Sequence, residues 1–203
     1  MRLLLGPLDG GHAYLRERGL TPETVETFGI GCCLQGSFRG WIAIPIHNAA
    51  GQLVAYARRW PGEPPDDRPK YLLPPGFLKS LELFNQHRAA KEENAGPLVV
   101  VEGFFGCMWV WQAGHRRVVS LMGSMLSTAQ EQRIIALAGY DRRVLLLFDG
   151  DAAGWQGCAQ ARQRLGRHVA VSAAHLEKGQ QPDSLAPEEL LQLIGEGPEK
   201  EAA

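Results

Sequence analysis

Apolar and polar positions alternate along the second half of the chain in blocks typical of strands followed by helices. Four strand-like runs each precede a helix-like segment: 98–101 then 104–113, 117–122 then 127–138, 143–148 then 152–165, and 168–172 then 187–194. A regular β–α repeat is typical of a parallel sheet covered by helices. The second half is therefore predicted to be an α/β domain.

The first half has a different pattern, with short elements of both kinds. Residues 14–28 are predicted to form two short helices, with Thr21 as N-cap of the second and Pro22 at its first helical position. Two apolar runs, 41–46 and 52–58, flank a turn-like segment and predict a β-hairpin. These elements predict a smaller α+β subdomain.

A composition change separates the two halves. A charged segment from Lys91 runs into Gly96 and Pro97, which break a helix, and an apolar strand follows. We therefore predict an amino-terminal subdomain over 1–95, an α/β domain over 96–195 and an acidic tail over 196–203. The proline-rich segment 61–68 is predicted to be a mobile loop.

Composition limits the function classes only loosely. Acidic residues exceed Lys and Arg by one, 22 against 21, so any nucleic-acid contact must come from local clusters of basic residues. The four cysteines form no CxxC pair, which favours a reducing, cytoplasmic location and gives no reason to expect zinc. No apolar stretch reaches membrane-spanning length, so no membrane association is expected.

Candidate chemistry lies where two apolar strands end in acidic residues. Asp149 and Asp151 follow one run, and Glu102 follows another. The carboxyl ends of parallel strands share one edge of a sheet, so these side chains are expected to converge. Carboxylates in such a cluster suit Mg²⁺ or Mn²⁺. A turn at Asp149 and a helix cap at Asp151 remain the alternative interpretation.

The sequence also resembles the catalytic core of bacterial replicative primases, with its Toprim domain, from about His12 to Leu185. Several segments match in order and spacing: 14–20, 44–46, 69–72, 78–80, 82–83, 101–104, 120–124, 149–151 and 182–185, together with Gly51 and Gly154. The resemblance implies a Toprim parallel sheet flanked by helices and preceded by a smaller α+β primase-type subdomain.

The same resemblance implies roles for particular residues. Glu102, Asp149 and Asp151 would be catalytic and would hold the metal together with Asp183. Four basic residues would contact the template and the incoming nucleotide: Arg18, Arg59, Lys70 and Lys79. Arg58 stands beside Arg59 and competes with it for this role.

The chain departs from the primase pattern at three positions. Gly106 stands where an acid usually follows four residues after the glutamate, and Gln181 replaces the first acid of an Asp-Pro-Asp. Leu73 replaces a polar residue. The two missing carboxylates are expected to weaken a second metal site more than the first.

The leading hypothesis is a metal-dependent primase-like nucleotidyltransferase that makes short primers on single-stranded DNA from nucleoside triphosphates. No zinc-ribbon cysteines precede this region and no helicase-docking domain follows it in the sequence, so a helicase or a separate template-binding protein is an expected partner. Two alternatives stay open. One is a catalytically weakened nucleic-acid-binding or replication-interfering subunit of a mobile element or defence system, and the other is a Toprim nuclease.

Overall fold

The computed structural model describes residues 6–65, 68–92, 96–140 and 142–196, and it has two compact units that divide between Phe77 and Leu78. Residues 78–92 belong to the second unit because Leu83 and Ala89 are buried in its core and Phe84 pairs with Ser120. The domain limits drawn from sequence, 1–95 and 96–195, stay a prediction. Of the predicted tail 196–203, all but residue 196 lies outside the described residues.

The first unit is a five-stranded antiparallel sheet with two short helices, as its mixed pattern predicts. Its strands occur in chain order in the sheet, and its elements are β1 (Leu8–Asp9), α1 (Ala13–Glu17), α2 (Pro22–Phe28), β2 (Gly31–Cys33), β3 (Ile42–His47), β4 (Leu53–Arg59) and β5 (Tyr71–Leu72). The predicted hairpin is the β3–β4 pair. The Thr21 hydroxyl caps α2 by accepting the Thr24 N–H, at 3.2 Å.

The second unit is a four-stranded parallel sheet with helices, which confirms the predicted fold class. Its elements are α3 (Gln86–Ala89), β6 (Leu98–Val101), α4 (Phe104–Gln112), β7 (Val118–Ser120), α5 (Thr128–Ala138), β8 (Arg143–Leu146), α6 (Ala152–Leu165), β9 (Ala170–Ala173) and α7 (Pro187–Glu196). The strand order is β7-β6-β8-β9. All four residues of β6 are fully buried, as expected for the centre of a parallel sheet.

The strand order creates a point where the chain connections diverge. After β6 the chain passes through α4 to β7 on one side, and after β8 it passes through α6 to β9 on the other side. A crevice forms at the carboxyl ends of two such neighbouring strands, and ligands of open α/β sheets bind in it. In this chain, β6 and β8 enclose that crevice. No helix in the described ranges has both the length and the apolar character needed to cross a bilayer.

Candidate metal centre

Glu102 and Asp149 face each other across the crevice between β6 and β8. Glu102 directly follows β6, and its carboxylate Oε1 accepts the backbone N–H of Asp149 at 2.9 Å. The pKa of Glu102 is raised to about 7, chiefly by burial; the Asp149 N–H opposes this rise, and the negative charges of Asp149 and Asp151 contribute to it. The structure therefore brings three sequence-predicted acids into one electrostatic cluster.

Asp151 begins helix α6. Its side-chain Oδ1 accepts the Gly154 N–H at 2.7 Å, so the helix-cap interpretation is confirmed. Gly154 is needed at this place because a Cβ atom there would lie 2.2 Å from the Asp149 carbonyl oxygen and 2.6 Å from Glu102 Oε1. Gly154 thus allows the first turn of α6 to approach both other acids.

The loop after β9 packs against the turn that carries Asp149. The Gly150 N–H donates to the Gln180 carbonyl and the Gly179 N–H donates to the Gly150 carbonyl, both at 2.8 Å. The Gln181 amide Nε2 donates to Asp149 Oδ2 at 3.1 Å. Gln181 therefore binds and orients the Asp149 carboxylate. Asp183 lies two residues further, partly buried in a short turn.

The backbone of Glu102 is fixed by the loop after β7. The Ser120 hydroxyl donates to the Glu102 carbonyl at 2.7 Å, and the Gly123 N–H donates to the same oxygen at 3.0 Å. The Lys79 ammonium donates to the Met122 carbonyl at 2.9 Å. Of the four predicted basic residues, Lys79 therefore contacts the loop that holds Glu102.

The oxygen ligands of this cluster are of the kind that a divalent cation prefers. Their side chains do not surround one common point. Among residues 6–65, 68–92, 96–140 and 142–196, no three His, Cys, Asp or Glu side chains are arranged so that they could hold a metal ion. Each acid uses one oxygen in an internal hydrogen bond. The second oxygens of Glu102 and Asp151 accept none from the described residues, and hard carboxylate oxygens in a negatively charged crevice suit Mg²⁺.

Comparison with known proteins agrees with this geometry. Residues 99–186 match the Toprim-like family model. A DNA primase of Enterococcus faecalis V583 is 30% identical over 90% of this chain and 35% of its own length. The zinc-binding and RNA polymerase domains of Aquifex aeolicus primase have a TM-score of 0.78 at 25% identity, over 91% of this chain and 55% of that chain.

The chain is a relative of bacterial DNA primases. A third comparison, with a DnaG primase catalytic domain bound to ssDNA, supports the fold: the TM-score is 0.74 at 23% identity, over 93% of this chain and 71% of that chain. The chain spans about a third of the length of the curated primases it matches.

In the first unit, Arg59 packs against two tyrosines. Arg59 is only 3% exposed, its Nε donates to the Tyr14 hydroxyl, and its guanidinium lies 4.8 Å from the Tyr71 ring centroid. Burial raises the pKa of Tyr71 to about 12, while the positive charges of Arg59 and Arg18 oppose that rise. Arg59 thus lies inside the unit, and its predicted nucleotide contact stays a prediction.

The other basic residues of the first unit are more accessible. Lys70 is exposed, and its carbonyl accepts the Trp60 N–H at 3.1 Å. Arg18 is partly buried at the end of α1. Arg58 lies 3.8 Å above the Phe38 ring and is partly exposed. Arg58 is therefore better placed than Arg59 to meet a phosphate at the surface.

Gly154→Ala is expected to disturb the carboxylate cluster and the fold together. The added Cβ would overlap the Asp149 carbonyl and push α6 away from Glu102. We expect a loss of about 1–3 kcal/mol in the free energy of unfolding and a Mg²⁺ affinity about 10–100-fold weaker. Denaturant unfolding and metal titration measure the two effects.

Gly195→Ala is the matched control, because it places the same methyl group in a helix with nothing within 4 Å. The control should be unchanged or more stable by up to about 1 kcal/mol. If Gly154→Ala behaved like this control, the close approach of α6 to the acids would be contradicted.

Proposed function

We propose that this chain forms the metal-dependent catalytic part of a primase that joins nucleoside triphosphates on single-stranded DNA. The observation that carries the proposal is the pairing of Glu102 and Asp149 at the ends of neighbouring strands, with Asp151 beside them. Relationship to bacterial primases supports nucleotidyl transfer over hydrolysis. Enterococcus and Aquifex relatives are both named as primases.

Glu102, Asp149 and Asp151 would hold one Mg²⁺ or Mn²⁺, with Asp183 as a further ligand from the neighbouring loop. Bound there, the ion would neutralise charge on the phosphates of the reacting nucleotide. Gln181 orients Asp149 through its amide and Ser120 fixes the Glu102 backbone. Since Gly106 and Gln181 lack carboxylates, we propose that one ion binds more tightly than a second.

The basic residues would contact phosphates in different ways. Lys70 is exposed and presents a mobile point charge suited to a template or triphosphate oxygen. Lys79, which donates to the Met122 carbonyl of the loop beside Glu102, would contact a phosphate there. Arg18 and Arg59 would act with Tyr14 and Tyr71, Arg59 chiefly by holding the tyrosines in place.

The partners follow from the same proposal. A single-stranded DNA template and nucleoside triphosphates are the substrates we propose, and a DnaG catalytic domain of the same fold is known bound to ssDNA. We also propose that a helicase or a separate template-binding protein contributes to priming. The cytoplasmic location stays a prediction.

Primer synthesis tests the proposal directly. Purified protein is incubated with single-stranded DNA, radiolabelled ribonucleotides or deoxyribonucleotides, and Mg²⁺ or Mn²⁺, and the products are resolved on a denaturing gel. We expect short, template-dependent, metal-dependent products and an uncut template. If protein that binds both metal and DNA makes no products, the proposed enzyme activity is contradicted. That result would favour the alternative of a catalytically weakened nucleic-acid-binding subunit. Metal-dependent cutting of the strand would instead favour a nuclease.

A further inference from the structure

An exposed tryptophan and a histidine stack on each other at the surface of the second unit. Trp155 is 41% exposed, His175 is also exposed, and their ring centroids lie 5.9 Å apart with an interplanar angle of 19°. Single exposed apolar side chains are common on protein surfaces. This pair is distinguished by its stacked geometry and by its place in the fold.

The two rings come from two elements that are each hydrogen-bonded to the turn 149–151. Trp155 is in the first turn of α6, where its backbone N–H donates to the Asp151 carbonyl at 2.9 Å. Residues four apart lie on one side of a helix, with Cβ atoms about 5–6 Å apart. His175 follows β9 and begins the loop whose Gly179 and Gln180 bond to Gly150. Both rings therefore belong to elements that are bonded to the turn that carries Asp149 and Asp151.

The other tryptophans have packing that explains them. Trp41 is buried, and Trp60 meets it edge-to-face with centroids 5.1 Å apart. Trp111 is buried beneath the Arg116 guanidinium, and the Trp109 indole N–H donates to the Leu185 carbonyl at 3.0 Å. Trp155 differs from these four because a large part of its surface remains available.

We propose that Trp155 and His175 form a stacking site for an unpaired nucleobase whose phosphate binds the divalent ion that the neighbouring carboxylates would hold. The proposal rests on the proposed function for the presence of nucleotide phosphate there. Aromatic faces stack on any base, so the site would bind bases with little sequence preference. One helical turn between Asp151 and Trp155 is a separation that a single nucleotide spans. His175 would hold the indole in the stacking orientation.

The base could come from the single strand or from the incoming triphosphate, and two titrations separate these sources. In the first, a fluorescent single-stranded oligonucleotide and an abasic oligonucleotide of the same charge are titrated into the protein with Mg²⁺. In the second, ATP and ribose 5′-triphosphate, which has no base, compete for the protein. The variants are Trp155→Ala, Trp155→Phe and His175→Ala, with exposed Gln156→Ala on the same helix as control.

If the site binds a base of the single strand, the first titration should show a preference, and if it binds the base of the triphosphate, the second should. In that titration, wild type should bind the base-containing ligand about tenfold more tightly than the base-free one. Trp155→Ala should remove this preference without changing the affinity for the base-free ligand. Trp155→Phe should retain most of the preference for the base-containing ligand, and His175→Ala should reduce that preference. Gln156→Ala should leave the preference unchanged. Thermal unfolding checks that each variant folds.

The proposal is overturned if wild type shows no preference for a base in either titration, or if Trp155→Ala keeps the preference. Primer synthesis is measured separately on the same preparations. A base preference that depends on Trp155 in protein that makes no primers would support the stacking site and count against the primase activity. Primer synthesis by wild type, together with an unchanged base preference in Trp155→Ala, would support the primase activity and overturn the stacking site.

Discussion

Asp149→Asn is expected to lower primer synthesis about 10²–10³-fold, because the substitution removes the charge that links the two strand ends to the metal. Asp149 lies between the Glu102 carboxylate, which accepts its N–H, and the Gln181 amide, which binds its Oδ2. Asparagine has nearly the same shape, so the fold should survive. Product yield per unit time measures activity, and Mn²⁺ titration should show much weaker binding.

Glu189→Gln provides a matched control for this substitution. It also changes an acid into its amide, but at an exposed position in the first turn of α7. This variant should retain wild-type activity and wild-type metal affinity. Equal activity of Asp149→Asn and wild type would remove Asp149 from the metal centre that we propose.

Glu102→Gln is expected to stabilise the metal-free protein while preventing stabilisation by metal. The pKa of Glu102 is raised from an ordinary 4.5 to about 7. The folded protein therefore binds more protons than the unfolded chain between these values, so this carboxyl makes stability fall as pH rises through them. Above about pH 7 the ionised Glu102 carboxylate destabilises the folded protein to its full extent, and a neutral glutamine removes this destabilisation.

The size of the gain follows from the raised pKa. The full difference between the ordinary and the raised pKa would correspond to about 3 kcal/mol in the free energy of unfolding. Glu102 is partly exposed, however, so solvent screening reduces this energy. We expect Glu102→Gln to be about 1–2 kcal/mol more stable than wild type at pH 8 in chelator, with the difference fading towards pH 5.

Repeating the unfolding measurements with Mg²⁺ distinguishes loss of the Glu102 charge from a general stabilisation of the protein. Saturating Mg²⁺ should raise the unfolding free energy of wild type and should have little effect on Glu102→Gln. Glu188→Gln, an exposed acid in α7, should show neither the gain in chelator nor the loss of the Mg²⁺ effect. A Glu102→Gln protein that is less stable than wild type at pH 8 would contradict the electrostatic cluster.

The sequence predicts the second unit well because its signals are local and repeated. Buried parallel strands give continuous apolar runs, and α6 is capped by an acid that is visible in the sequence. The predicted helix over 152–165 coincides with α6, and the predicted N-cap Asp151 is confirmed. Helix α5 likewise begins with a reciprocal capping box of Ser127 and Gln130, which are close in sequence, so this signal is also local.

The remaining features depend on contacts between residues that are distant in sequence. Gln181 looks only like a lost carboxylate in the sequence, but its amide binds Asp149. Arg59 looks like a surface base, yet its side chain is buried against Tyr14 and Tyr71. Residues 78–92 join the second unit because their apolar side chains enter its core. None of these contacts has a local sequence signal.

A crystal structure with Mn²⁺, located by anomalous scattering, is the most direct test of the central claim. We predict an ion in the crevice between β6 and β8, about 2.0–2.3 Å from oxygens of Glu102 and at least one of Asp149 and Asp151. The second oxygens of Glu102 and Asp151 should turn towards it. Fully ordered carboxylates that keep their metal-free hydrogen bonds, with no anomalous peak between them at saturating Mn²⁺, would contradict the account.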